Sequence, residues 1–232
     1  MNDMRTPPEL GQVIDAVVNT KSIQEFDLAD EFFPAHLSVA VIDAVFRTRY
    51  RHGAFLFPAA ERYCRKFGLV RTRDDRWNRP AASEQDTLGG LIRRYDDLGP
   101  DAMTADVFAI RRCFPEQQIP PVATVLRVAK ALRSIGVDVL QDMSARHYNK
   151  IHDTLLCLPG VGAHTVRRLL MYTGGDDFVL GDTHIRRFVA DAVGRNSISP
   201  DDAVALIRSA AYELLVSPRF LDREIWLCRL SD

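Results

Sequence analysis

Apolar positions recur at helical spacing along most of the chain. Leu37, Val41, Ala44 and Val45 form one stripe, Leu126, Ala129, Leu132 and Ile135 a second, and Ala203, Leu206, Ile207 and Ala210 a third. Alternation at period two is nearly absent, and there is no Asn-Gly hairpin turn. Cap chemistry marks several starts. Ser199-Pro200-Asp201-Asp202 places a hydroxyl at the N-cap, proline at the first helical position and acids in the first turn, where the helix dipole favours them. Ser217-Pro218 opens a further helix in the same way. These patterns predict roughly nine to eleven helices and an all-α fold. Between the periodic segments, Arg71 to Asp86 is polar, charged and broken by Pro80, and is expected as an exposed loop or insertion. Phe114 to Pro121 is expected as a proline-bounded link, and no internal repeat is visible.

Composition narrows the class. The chain has 232 residues, 47% of them apolar and 26% charged, as in an ordinary globular protein with room for a real core. Cys64, Cys113, Cys157 and Cys228 stand singly, without a CxxC or CxxH pair, which argues against a zinc finger or ribbon. The N-terminus lacks the order of a signal peptide, and the best apolar run, Leu37 to Phe46, is too short for a membrane span and contains Asp43. The expectation is a soluble, cytoplasmic protein of a reducing compartment, without a membrane partner.

Charge is balanced overall, with 30 basic against 31 acidic residues, so any polyanion must be held by a local patch. Residues 1–40 carry a balance of −5 and residues 46–73 a balance of +7. The basic stretch reads either as a solvated helix face or as a strip facing phosphates. Of the basic residues only Lys21, Lys66, Lys130 and Lys150 are lysines, which leaves few amines for Schiff-base chemistry.

The most informative segment is Leu158-Pro159-Gly160-Val161-Gly162-Ala163-His164-Thr165. It lies between an amphipathic stretch with Ile151, Leu155 and Leu156 and another with Val166, Leu169 and Leu170. A short glycine-rich turn between two helices makes a tight hairpin. Gly160 and Gly162 permit positive φ and a close approach of another backbone, and Val161 can plug the turn into the core. The turn feeds a helix N-terminus, whose N–H groups and dipole suit a phosphate. Such a hairpin holds nucleic acid by its backbone without reading bases. A simple αα-turn accounts for the same spacing.

Twenty residues beyond Gly162, Asp182 follows Phe178-Val179-Leu180-Gly181 and opens Thr183-His184-Ile185-Arg186-Arg187. Asp182 reads as a helix N-cap, and the interval suffices for one helix and a returning loop that brings a carboxylate back toward a bound backbone.

Together, LPGVG followed by VLGDTHIRR resembles the helix-hairpin-helix-GPD superfamily of DNA glycosylases, most closely its endonuclease III branch. The resemblance is dense over about residues 122–195. It extends to Asp222-Arg223-Glu224-Ile225-Trp226, similar to a family helix, and faintly to Leu37–Gly68. It implies a two-lobed helical bundle with a DNA-binding cleft between the lobes. Residues 33–175 would form a core domain containing the hairpin (about 146–173), and residues 1–32 plus 176–232 a second lobe made from both termini. Asp182 matches the catalytic aspartate, a carboxylate that stabilises charge on the sugar and orients water once the nucleotide is flipped out.

Two departures change the chemistry. Where the bifunctional type has its Schiff-base lysine this chain has His164, so water is expected as the nucleophile. His164 then contacts the flipped base or a phosphate, or fills space. The four closely spaced cysteines of the branch are missing, with Cys228 alone near the end, so no iron–sulfur cluster is expected and Trp226 is expected in the core. Cys157 is expected as a small buried apolar residue.

By the same resemblance Leu158–Ala163 and Thr165 grip the backbone, and the Leu158 and Val161 carbonyls hold a monovalent cation. Arg47, Thr48, Arg49 and Tyr50, at the end of an early helix, sit where relatives present residues to the gap left by the base; His184 and Arg186 follow Asp182 on its helix. The implied partner is double-stranded DNA, bound by a monomer associated with the nucleoid. A DNA-binding protein without catalysis, and a lyase using Lys150 or the N-terminal amine, remain as alternatives.

Overall fold

A computed structural model describes residues 8–20, 28, 32–49, 59–75, 78–110 and 119–228. Among them the chain forms ten α-helices and no β-strand, with one isolated bridge between Pro34 and Thr72. The chain divides into two compact units, residues 30–174 and residues 1–29 with 175–232. Among the described residues no helix is long and apolar enough to cross a membrane.

The unit 30–174 is built around α2 (Leu37–Arg49), against which α3 (Ala59–Phe67), α4 (Leu88–Ala102), α5 (Pro121–Ser134) and α7 (Ala163–Tyr172) pack. The apolar run seen in the sequence is this helix. It is buried at every position from 37 to 46, as a helix apolar on all sides must be. Within that run Ser38 and Asp43 are each answered. Ser38 Oγ donates to Asp86 at 2.7 Å, and Asp43 pairs with Arg71 at 3.1 Å and Arg47 at 3.9 Å. Just before the helix, His36 Nδ1 accepts the Asp86 N–H at 3.0 Å. Tyr63 and Arg94 complete the cage, donating to Asp86 at 2.6 and 2.5 Å. A buried carboxylate is tolerable here because charged and neutral donors surround it. Burial, reinforced by Asp86, pushes the Tyr63 hydroxyl above its ordinary range.

Arg71–Asp86 is exposed at Asp74, Asp75, Asn78 and Ala81–Glu84, as expected of a loop, but it is also anchored to the unit. Arg71 O and Phe33 O accept the N–H groups of Ala35 and Arg73, and Gln85 and Asp86 are buried. Arg79 donates to the carbonyls of Leu140, Met143 and Thr173 at 2.6, 3.1 and 2.8 Å. The charge-rich segment is fastened at both ends and in the middle. The expected link 114–121 lies outside the described residues up to 118. Within the basic stretch 46–73 some charges turn inward: Arg62 donates to Phe108 O at 2.9 Å, Arg71 meets Asp43, and Arg73 lies 5.6 Å over the Phe33 ring, while Arg65 and Lys66 are exposed.

In the other unit α1 (Pro8–Val18) packs with α8 (Thr183–Ala192) and α9 (Pro200–Glu213), and α10 (Pro218–Cys228) packs with α8 and α9. Leu10, Val13 and Val17 enter one core with Ile185, Ile207 and Leu221. Each such side chain taken from water contributes about 1.5–3 kcal/mol. Ser199 caps α9 through the Asp202 N–H, with Pro200 at the first position. Ser217 accepts from Phe220 N at 3.2 Å at the start of α10.

Candidate functional site

In the unit 30–174, α6 (Tyr148–Leu156) and α7 are joined by the turn 157–162. The pair is held by Ile151 and Leu155 from α6 and Val166, Leu169 and Leu170 from α7. Within the turn, Leu158 N donates to Leu155 O and Val161 N to Leu158 O, both at 3.1 Å. Pro159 and Gly160 are exposed while Val161 is buried, so the valine anchors the elbow. Gly160 has φ of 88°, a conformation that favours glycine.

Gly162 differs from the expectation. Its φ of −105° and ψ of 167° suit any residue, and a Cβ added there would meet nothing within 4 Å. Its effect is at the cap: the N-terminus of α7 carries no side-chain cap, and open space lies beside it. Ala163 is exposed and Thr165 buried. His164 is half-buried, and its Nε2 lies 3.2 Å from a nitrogen of Arg168. A guanidinium only donates, so Nε2 accepts and the ring proton sits on Nδ1. Lys150 is exposed on α6. Cys157, expected in the interior, is exposed in the turn.

The second set of residues lies in the other unit. Asp182 is the N-cap of α8, its Oδ1 accepting from His184 N at 2.9 Å and Ile185 N at 3.1 Å. Both bonds use one oxygen, and among the described residues no donor is bonded to Oδ2. The carboxylate is half-buried. One oxygen thus anchors the group to its helix. The approach to it is equally fixed. Leu180 N donates to Asp222 Oδ2 of α10 at 2.8 Å, and Gly181 turns the chain with φ of 62°. His184 meets the edge of Trp226, with ring centroids 6.2 Å apart, and Arg223 lies 4.6 Å over the Trp226 face. Trp226 is half-buried rather than in the core, because its rings serve these two contacts. Arg186 Nε donates to Ile198 O at 3.0 Å, which fastens α8 to the segment before α9.

The structure gathers Leu158–Thr165 around one elbow and sets Asp182 with His184 at one helix start. Arg47, near the end of α2, is largely buried beside Asp43. The Arg49 side chain and Tyr50 lie outside the described residues, as does Cys113. Cys64 is buried on α3, its thiol pushed up to about 11 by burial, and Cys228 ends α10. Among the described residues no cluster of three or more His, Cys, Asp or Glu could hold a metal ion. Asp222 escaped the reading of the sequence as a contact of the Asp182 approach. Its partner is 42 residues away, and only the end of the family-like helix hinted at it.

Fold and sites define an all-helical protein of two compact units, with a glycine elbow in one and an aspartate-capped helix in the other. Residues 12–229 match the family described as Domain of unknown function (DUF8548), and the chain belongs to it. No curated protein and no solved structure matches the chain.

Proposed function

We propose that the chain is a DNA glycosylase of the helix-hairpin-helix-GPD type that uses water rather than a lysine. What carries the reading is Asp182: a half-buried carboxylate fixed through Oδ1 by its own helix, with no donor on Oδ2 among the described residues. The α6–α7 elbow supports it, because Gly162 leaves the start of α7 open to an outside anion. In this reading the elbow holds the sugar–phosphate backbone of duplex DNA through Leu158–Thr165, and a damaged or mismatched base leaves the stack.

The N-glycosidic bond breaks with its electron pair departing on the base, and positive charge builds on the sugar. Asp182 Oδ2 stabilises that charge and takes a proton from the water whose oxygen bonds to C1′. His164, bonded to Arg168, is a contact of the flipped nucleotide. Arg47 and His184 are further DNA contacts. The carbonyls of Leu158 and Val161 are hard oxygen donors that fit a monovalent cation; Leu158 O, with two lone pairs, keeps one beyond its bond to Val161 N. The protein acts as a monomer on chromosomal DNA in the cytoplasm.

The test is excision from duplexes bearing uracil, thymine opposite guanine, adenine opposite oxidised guanine, or alkylated purines. At least one should be cut, and Asp182→Asn should slow it by about 10²–10⁴-fold. Borohydride should trap no covalent adduct. An unchanged rate in Asp182→Asn removes the reading, and binding without cutting any duplex would leave a DNA-binding protein.

A further inference from the structure

The segment that delivers Asp182 is laid along one face of α10. Asp176 Oδ1 meets Arg219 at 2.7 Å, and the Arg219 N–H returns to Asp176 O at 2.9 Å. Four residues further along the segment, the Leu180 N–H meets Asp222 Oδ2 at 2.8 Å. Four residues further again, His184 meets Trp226. Positions 219, 222 and 226 follow the i, i+3, i+7 spacing of a single helix face. The segment and the helix thus run side by side, with a polar fastening before Asp182 and an aromatic one after it.

We infer that Asp222 is a positioning residue for Asp182. The inference rests on the catalytic reading of Asp182 and adds how that carboxylate is aimed. Asp222 is 3% exposed, and its carboxylate holds the last N–H before the Gly181 swivel. A glycine at positive φ gives the chain little stiffness of its own. The direction in which Asp182 leaves the swivel is therefore set by the fixed points on either side, Leu180 on α10 and the two amides of α8. With the Leu180 tether gone, the Gly181 swivel gains freedom, and the alignment falls more heavily on the cap bonds of His184 N and Ile185 N.

Two readouts test this in the full-length chain. The first is amide hydrogen exchange, which needs no substrate. In Asp222→Ala the Leu180 amide should exchange faster, and protection of His184 and Ile185 should fall about tenfold or more, as a loosened cap implies. The amide of Ile207 in α9 should keep its protection. Asp222→Asn, whose side-chain carbonyl can still accept the Leu180 N–H, should restore the wild-type pattern. If Asp222→Ala does not fold, Asp222→Leu fills the space without an acceptor and serves instead. Unchanged protection at His184 and Ile185, with Leu180 lost, overturns the inference.

The second readout is excision of whichever duplex base the wild type removes. Asp222→Ala should lower kcat about a hundredfold with KM nearly unchanged, as a misplacement of about 1 Å can, and Asp222→Asn should recover most of it. An unchanged kcat, a rise in KM alone, or no recovery in Asp222→Asn overturns the inference. If the wild type cuts no duplex, the glycosylase reading fails, and the exchange pattern still decides whether Asp222 aligns Asp182.

Discussion

At position 215 the chain holds a leucine where other helix ends hold glycine. Helices α5 and α8 finish with Gly136 and Gly194 at φ of 87° and 67°, followed by the N–H of Val137 reaching Leu132 O and of Arg195 reaching Ala190 O. Helix α9 closes in the same pattern: Leu215 N bonds Tyr212 O, Val216 N bonds Ala211 O, and Leu215 has φ of 56°. A side chain in that region costs about 1–2 kcal/mol, and Leu215, 93% exposed, recovers nothing by burial. Leu215→Gly should stabilise the protein by about 1 kcal/mol, allowing for the greater freedom of glycine in the unfolded chain; urea unfolding measures it. At this scale the sequence was readable wherever the determinant is local. Ser199 and Asp182 announce themselves as caps because their partners lie two or three residues away. Gly162 misled because a glycine signals permitted positive φ, not its use. Cys157 and Trp226 misled because apolar character says nothing of which face of a turn or helix a residue occupies.

Among elements, the segment 71–86 is the clearest case of a structure hidden from the sequence. Arg71, Arg79 and Asp86 look solvated until their partners are known, and those partners are distant: Arg79 meets carbonyls 61, 64 and 94 residues away. One planar fork spans the turn around Leu140 and Met143 and the carbonyl end of α7. An ammonium cannot reproduce that geometry. Arg79→Lys should lower stability by about 2–4 kcal/mol, since at least two carbonyls lose a charged donor, and the urea midpoint should fall with an unchanged slope. The helices themselves were legible because period and caps agree, as at α9. Helix α5 shows the limit: its stripe was expected on Leu126, Ala129, Leu132 and Ile135, yet the buried face is Val122, Val125, Val128, Ala129 and Leu132. Spacing fixes a period, while the neighbours decide which of two adjacent faces is covered.

For the molecule as a whole, the cage around Asp86 makes stability depend on pH. His36 Nδ1 accepts the Asp86 N–H, so the ring must be neutral for that bond to exist. Burial lowers its pKa, with Arg94 acting the same way against the pull of the Asp86 carboxylate and the Val70 carbonyl. The unfolded chain takes up a proton near pH 6.5, the native one only at lower pH. Stability from this group is therefore complete above about pH 6.5 and declines as the pH falls below it. Unfolding free energy measured between pH 8 and 5.5 should slope downward on the acidic side, and His36→Asn should flatten that slope. None of this was visible beforehand, because the cage joins residues 36, 38, 63, 86 and 94, which no local pattern links. The division of the chain has a different consequence. Leu10, Val13 and Val17 share their core with residues of α8, α9 and α10. During synthesis on the ribosome, α1 emerges before the unit 30–174 and meets those partners only after it. The nascent protein must shelter three aliphatic side chains throughout translation of that intervening unit, so α1 docks late although it is made early.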